Sequence, residues 1–73
     1  MKYAYRVIKA EVVPGGKRYI ESQHRTVAAA KRSAEKSDWI LREHSPTALI
    51  DFEVQERQRN GKYETIDWQV GED

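Results

Sequence analysis

One stretch of this chain carries a helical apolar repeat, and the rest has to be built around it. In Thr26–Glu43, TVAAAKRSAEKSDWILRE, steps of about 100° per residue gather Val27, Ala30, Ser33, Ala34, Ser37, Ile40 and Leu41 on one side. Lys31, Arg32, Glu35, Lys36, Asp38, Trp39, Arg42 and Glu43 gather on the other. The inward side is mostly small, so this helix can lie close to whatever it covers. Thr26 is its N-cap, a hydroxyl able to accept from a free amide of the first turn. Ser45 precedes Pro46 and is disfavoured in the α region, which ends the helix near Glu43 or His44. Ser37-Asp38 is a second cap candidate. A kink there would turn Trp39 into the core; an unbroken helix leaves it among charges.

Strand-like segments flank the helix on both sides. Tyr3–Val13 is rich in β-branched and aromatic residues, with Ala4, Ile8, Ala10 and Val12 on one face and Tyr3, Tyr5, Val7, Lys9 and Glu11 on the other. Pro14-Gly15-Gly16 breaks it, and Lys17–Arg25 returns. A three-residue loop there pairs Ala10 with Ile20, Ile8 with Ser22 and Lys9 with Glu21. Ala48–Gln58 alternates cleanly, with Ala48, Ile50, Phe52 and Val54 on one face. The Asn60-Gly61 turn then admits two registers. A two-residue loop sets Val54 against Asp67. A three-residue Arg59–Gly61 loop, with Gly61 left-handed, sets Val54 against Ile66, Phe52 against Trp68 and Ile50 against Val70. The hydrophobic pattern selects the second, because a one-residue slip turns over every side chain.

The order is therefore ββαββ, and the predicted fold is a two-layer α+β domain: two hairpins in a four-stranded antiparallel sheet with the helix on one face. Residues 1–73 form one small domain, with 71–73 as a frayed tail. The expected core is Ile8, Ala10, Val12, Ile20, Val27, Ala30, Ala34, Ile40, Leu41, Ile50, Phe52, Val54, Ile66, Trp68 and Val70.

With no cysteine among its 73 residues, the chain has no disulfide or thiolate–metal staple, and domains this small often recover the missing burial by oligomerising. No apolar run reaches the roughly 18 residues of a membrane span, and Arg6 and Lys9 interrupt the N-terminal segment as a secretory signal would not be. A cytoplasmic location is the expectation.

Chemistry-bearing motifs are sparse. The two histidines, His24 and His44, stand twenty positions apart with no cysteine or second histidine at ligand spacing. Pro14–Lys17 lies between strands, where a nucleotide loop would lead into a helix. Asp51 and Glu53 share a strand face that Asp67 can join, a weak cation site at most. A non-catalytic protein with no cofactor and no metal is the expectation.

Binding features are stronger. Tyr3, Tyr5, Val7, Tyr19, Leu49 and Tyr63 fall on the helix-free face of the expected sheet, beside Glu11, Glu21, Asp51, Glu53 and Asp67. An acidic, tyrosine-bearing face repels phosphate and suits a protein partner. Trp39 among charges has the character of an interface hot spot. Charge also segregates along the chain. Residues 1–42 hold ten Lys/Arg against four Asp/Glu, and residues 43–73 hold three against eight. Arg25, Lys31, Arg32, Lys36 and Arg42, extended by Lys17 and Arg18, make the rival surface, a basic one for nucleic acid.

The leading expectation is thus a small regulatory or binding protein acting through protein contacts at Trp39, Tyr3, Tyr5 and Tyr63. Its homodimer, if it forms one, would join like surfaces through the aromatic sheet face or a strand edge. No family motif is present; in size, polarity and ββαββ pattern the chain is similar to small accessory proteins of phages and mobile elements.

Overall fold

The computed structural model describes residues 3–72. Its elements are β1 (Tyr5–Glu11), β2 (Arg18–His24), α1 (Val27–His44), β3 (Ile50–Arg57) and β4 (Tyr63–Thr65). The strands form one antiparallel sheet in the order β2-β1-β3-β4, with α1 packed across one face. This is the two-layer ββαββ architecture expected, and both hairpins are present.

The helix runs unbroken over 18 residues. Ala29 N–H donates to the Thr26 hydroxyl at 3.1 Å, which satisfies one of the free donors of the first turn. At the far end Ser45 N–H closes on the Leu41 carbonyl. Ser37-Asp38 starts no second helix; Asp38 instead pairs with Arg42 one turn on, at 3.3 Å.

The second hairpin has the expected register. Gln55 faces Thr65 and Arg57 faces Tyr63, Gln58 N–H reaches the Lys62 carbonyl, and Ile66 N–H reaches Val54. The loop is Arg59–Gly61, with Gly61 at φ +85°. The strand is shorter than expected, because after Ile66 the chain folds over itself, Trp68 N–H donating to the Ile66 carbonyl. Trp68 still enters the core, but from a turn rather than as a ladder partner of Phe52. Its indole N–H donates to the Glu72 carbonyl at 3.2 Å, so residues 71 and 72 belong to a closed turn and are no frayed tail; Asp73 lies outside the described residues.

The first hairpin departs from expectation. Glu11 N–H bonds the Lys17 carbonyl, so the loop is the five residues Val12–Gly16 rather than three. Lys9 faces Tyr19, not Glu21, and Ile8 faces Ile20. A bulge then shifts the register, and Val7 faces Ser22. Gly16 turns the loop because a side chain has no room there: a Cβ would lie 2.3 Å from the Glu11 carbonyl oxygen.

β1 also presents its other face to the helix. Val7 pairs with Val54 and Lys9 with Phe52, and the core under α1 is Val7, Ala30, Ala34, Phe52, Val54 and Trp68, flanked by Tyr5, Leu41, Ile50, Ile66 and Val70. Ile8 and Ala10 are buried as expected, but on the helix-free face, opposite Glu53 and Asp51. The ion pair from Arg18 on β2 to Glu53 on β3 passes over β1 and covers them. Val12 (53% exposed), Ile20 (53%) and Ile40 (43%) are not core. A central strand with apolar residues on both faces gives alternation no means of choosing; pairing with β3 chooses.

Candidate functional site

Trp39 is 65% exposed on the outermost line of α1. The unbroken helix keeps it there, three residues from Lys36 and Arg42 and four from Glu35 and Glu43. Ile40, turned toward β2, lines a shallow depression of about 280 Å³ with Leu41, Phe52 and Lys9. Indole and Ile40 together form an apolar projection on a helix otherwise polar outside.

The tyrosines do not assemble into one platform. Tyr5 lies on the helix side, half-buried against the core, where its hydroxyl donates to Glu56 Oε2 at 3.1 Å. That bond, aided by desolvation and by the carboxylate's charge, raises the Tyr5 pKa above its usual 10.0. Tyr63 lies on the opposite face with the Arg6 guanidinium 3.9 Å from its ring centroid, and it donates to the Tyr3 carbonyl at 2.9 Å. Tyr3 is exposed, with Arg25 5.7 Å from its ring. Val7 is fully buried. The helix-free face is instead crossed by a polar chain: Arg6 Nε donates to Gln55 at 2.8 Å, Gln55 to Thr65, Thr65 to Glu53, and Glu53 pairs with Arg18.

The basic candidates are likewise dispersed. Arg42 folds back under the helix, donating to the carbonyls of Ala48 and Ile50, each at 2.6 Å. Lys31 stands 5.6 Å from the Trp68 ring, and Arg25 lies by Tyr3. Arg32 and Lys36 remain exposed on the outer helix face. Asp51, Glu53 and Asp67 border a groove of about 510 Å³ beside the Ile50 end of β3. Among the described residues no group of three or more His, Cys, Asp or Glu side chains is arranged to hold a metal ion.

One cluster lies outside the expected sites. Ser22 Oγ lies 2.7 Å from His24 Nε2 and 3.0 Å from Ser33 Oγ. The signal was the Ser-x-His spacing, which puts both side chains on one strand face. Among the described residues no hydrogen bond joins His24 to a carboxylate, so the imidazole lacks the orienting third group of a nucleophile–base system. The contact ties β2 to the helix.

No known protein family, curated protein or solved structure matches this chain. Fold and surface alone define its class: a small ββαββ domain with a covered sheet face, a networked open face and an exposed tryptophan. No helix among the described residues is long and apolar enough to cross a membrane.

Proposed function

We propose that this is a non-catalytic binding or regulatory protein whose contact point is Trp39. The observation that carries the reading is an indole 65% exposed on a helix whose packing does not require it. Large aromatic groups left outside a core concentrate at contact surfaces, and tryptophan is the residue most enriched among binding hot spots. Ile40 beside it widens the apolar area, while Arg32, Glu35, Lys36 and Glu43 supply the charged surround typical of an interface rim.

Nucleic-acid binding draws less support, since Arg42, Lys31 and Arg25 are engaged within the fold and point to different sides of it. Capture from a lysate of the native host, with and without nuclease, separates the two. The expected result is a nuclease-resistant partner whose affinity falls by about 2 kcal/mol or more in Trp39→Ala, with unfolding free energy changed by no more than about 0.5 kcal/mol. Unfolding of that variant, or loss of capture after nuclease, refutes the proposal.

A further inference from the structure

We infer that the outer edge of β2 is a self-association surface, where a second copy of this chain adds its own β2 antiparallel about a two-fold axis through Tyr19. The inference uses a surface separate from Trp39 and stands on three observations.

The first is that β2 is the long open edge of the sheet. The opposite edge, β4, has three residues, and where it stops short of the Ile50 end of β3, Arg42 occupies the Ala48 and Ile50 carbonyls. β2 has seven residues, and Lys17 through Glu21 are all exposed. It contains no proline, and its guards are charges and a bulge, Lys17, Arg18 and Glu21 beside the register shift, which admit only a strand whose charges match them. Its bulged residue is Glu21, between Ile20, which faces Ile8, and Ser22, which faces Val7, so Lys17–Ile20 is regular.

The second is which groups face outward. Glu11 N–H bonds the Lys17 carbonyl, so Lys17 and Tyr19 direct their backbone groups at β1. Alternation then directs those of Arg18 and Ile20 away from the sheet. A two-fold centred on Tyr19 places Arg18 of one copy against Ile20 of the other, so these outward groups exchange hydrogen bonds in two symmetric sets.

The third identifies the occupant. In that register Lys17 stands opposite Glu21 of the second copy, twice by symmetry. Neither takes part in the ion pairs among the described residues, which join Arg18 to Glu53 and Arg42 to Asp38. Lys17 and Tyr19 fall on the helix side by alternation, and the bulge leaves Glu21 on that side too, near Ile40; Tyr19 is 48% exposed and would meet its symmetry mate. The edge is therefore charge-complementary to itself, and the closed two-fold exhausts it. The domain has few other resources, since among the described residues the buried apolar ones number eight, three of them alanine.

Sedimentation equilibrium across micromolar to millimolar concentrations tests this. The wild-type chain should form a dimer and nothing larger. Glu21→Lys should raise the dissociation constant roughly tenfold by setting like charges opposite each other at two places, and the double variant Lys17→Glu with Glu21→Lys should restore it. Both sites are exposed, so the fold is retained, which circular dichroism verifies. Because the chain has no cysteine, Tyr19→Cys gives a clean second readout. A non-hydrogen-bonded pair brings its Cα atoms to about 4.5 Å, within disulfide reach, so this variant should oxidise to a covalent dimer while Arg18→Cys does not. A wild-type chain that stays monomeric, charge reversal without rescue, or equal cross-linking at both positions overturns the inference. So does a dimer abolished by Trp39→Ala, which would place the interface on the helix and leave β2 unused.

Discussion

The two hairpins, Tyr5–His24 and Ile50–Thr65, differ in what decides how they are built. In β3–β4 one residue type at one place sets the geometry: Gly61, at φ +85°, makes a three-residue loop, and Val54 and Ile66 fall into register behind it. In β1–β2 the glycines permit several loops, and what decides is distant. β1 is held along its whole length by β3, and β2 follows with a longer loop and a bulge. A turn that demands a special backbone conformation dictates register locally; a permissive turn passes that decision to the sheet.

Truncations give the largest expected contrast. Trp68→Ala removes the anchor of the second hairpin, 8% exposed, and should cost roughly 3–5 kcal/mol in chemical denaturation. Ile20→Ala in the first hairpin should cost no more than about 0.5 kcal/mol, as for other surface sites. Comparable losses at both would mean that Ile20 is buried, and the face assignment of β2 would fall.

The loops give the next. Gly16→Ala drives a Cβ to 2.3 Å from the Glu11 carbonyl and should cost about 1–3 kcal/mol, as overpacking does. Gly61→Ala meets nothing within 4 Å, so only its left-handed backbone resists, at about 1–2 kcal/mol. Melting curves of the two variants rank them; a neutral Gly16→Ala would show that the five-residue loop can open freely.

How much of this could be read beforehand follows the same division. The helix, its Thr26 cap and the β3–β4 register were legible because each rests on near neighbours in sequence. The face of β1 was not, since Tyr5 and Val7 on one side and Ile8 and Ala10 on the other are both apolar enough to be buried. Nor was the fate of the charges. Periodicity put Arg42 among outward residues, whereas its length lets it reach back to two carbonyls. The tyrosine platform failed with the β1 face, and Ser22–His24–Ser33 needed the helix to be placed over β2. Trp39 was readable as an alternative, and the absence of a kink decided it.

The smallest effect concerns Tyr5, which links β1 to β3. Its pKa is raised in the folded chain by the bond to Glu56, so the stabilisation is complete below the unfolded value of 10.0 and is lost as pH rises through the higher folded value. Ultraviolet titration should find this tyrosine ionising late, and Glu56→Gln should bring it back toward 10.0. An unchanged titration in that variant would detach Tyr5 from Glu56.

Arg42 carries a consequence for solubility. A bare strand edge is a template on which further chains can stack, and that is how sheet proteins begin to aggregate. β4 leaves such an edge at the Ile50 end of β3, and the guanidinium fork fills two of its acceptors. Lysine has no planar fork to span both carbonyls at once. One arginine, lent by the helix, therefore occupies two of the acceptors on which a further strand would have to pair.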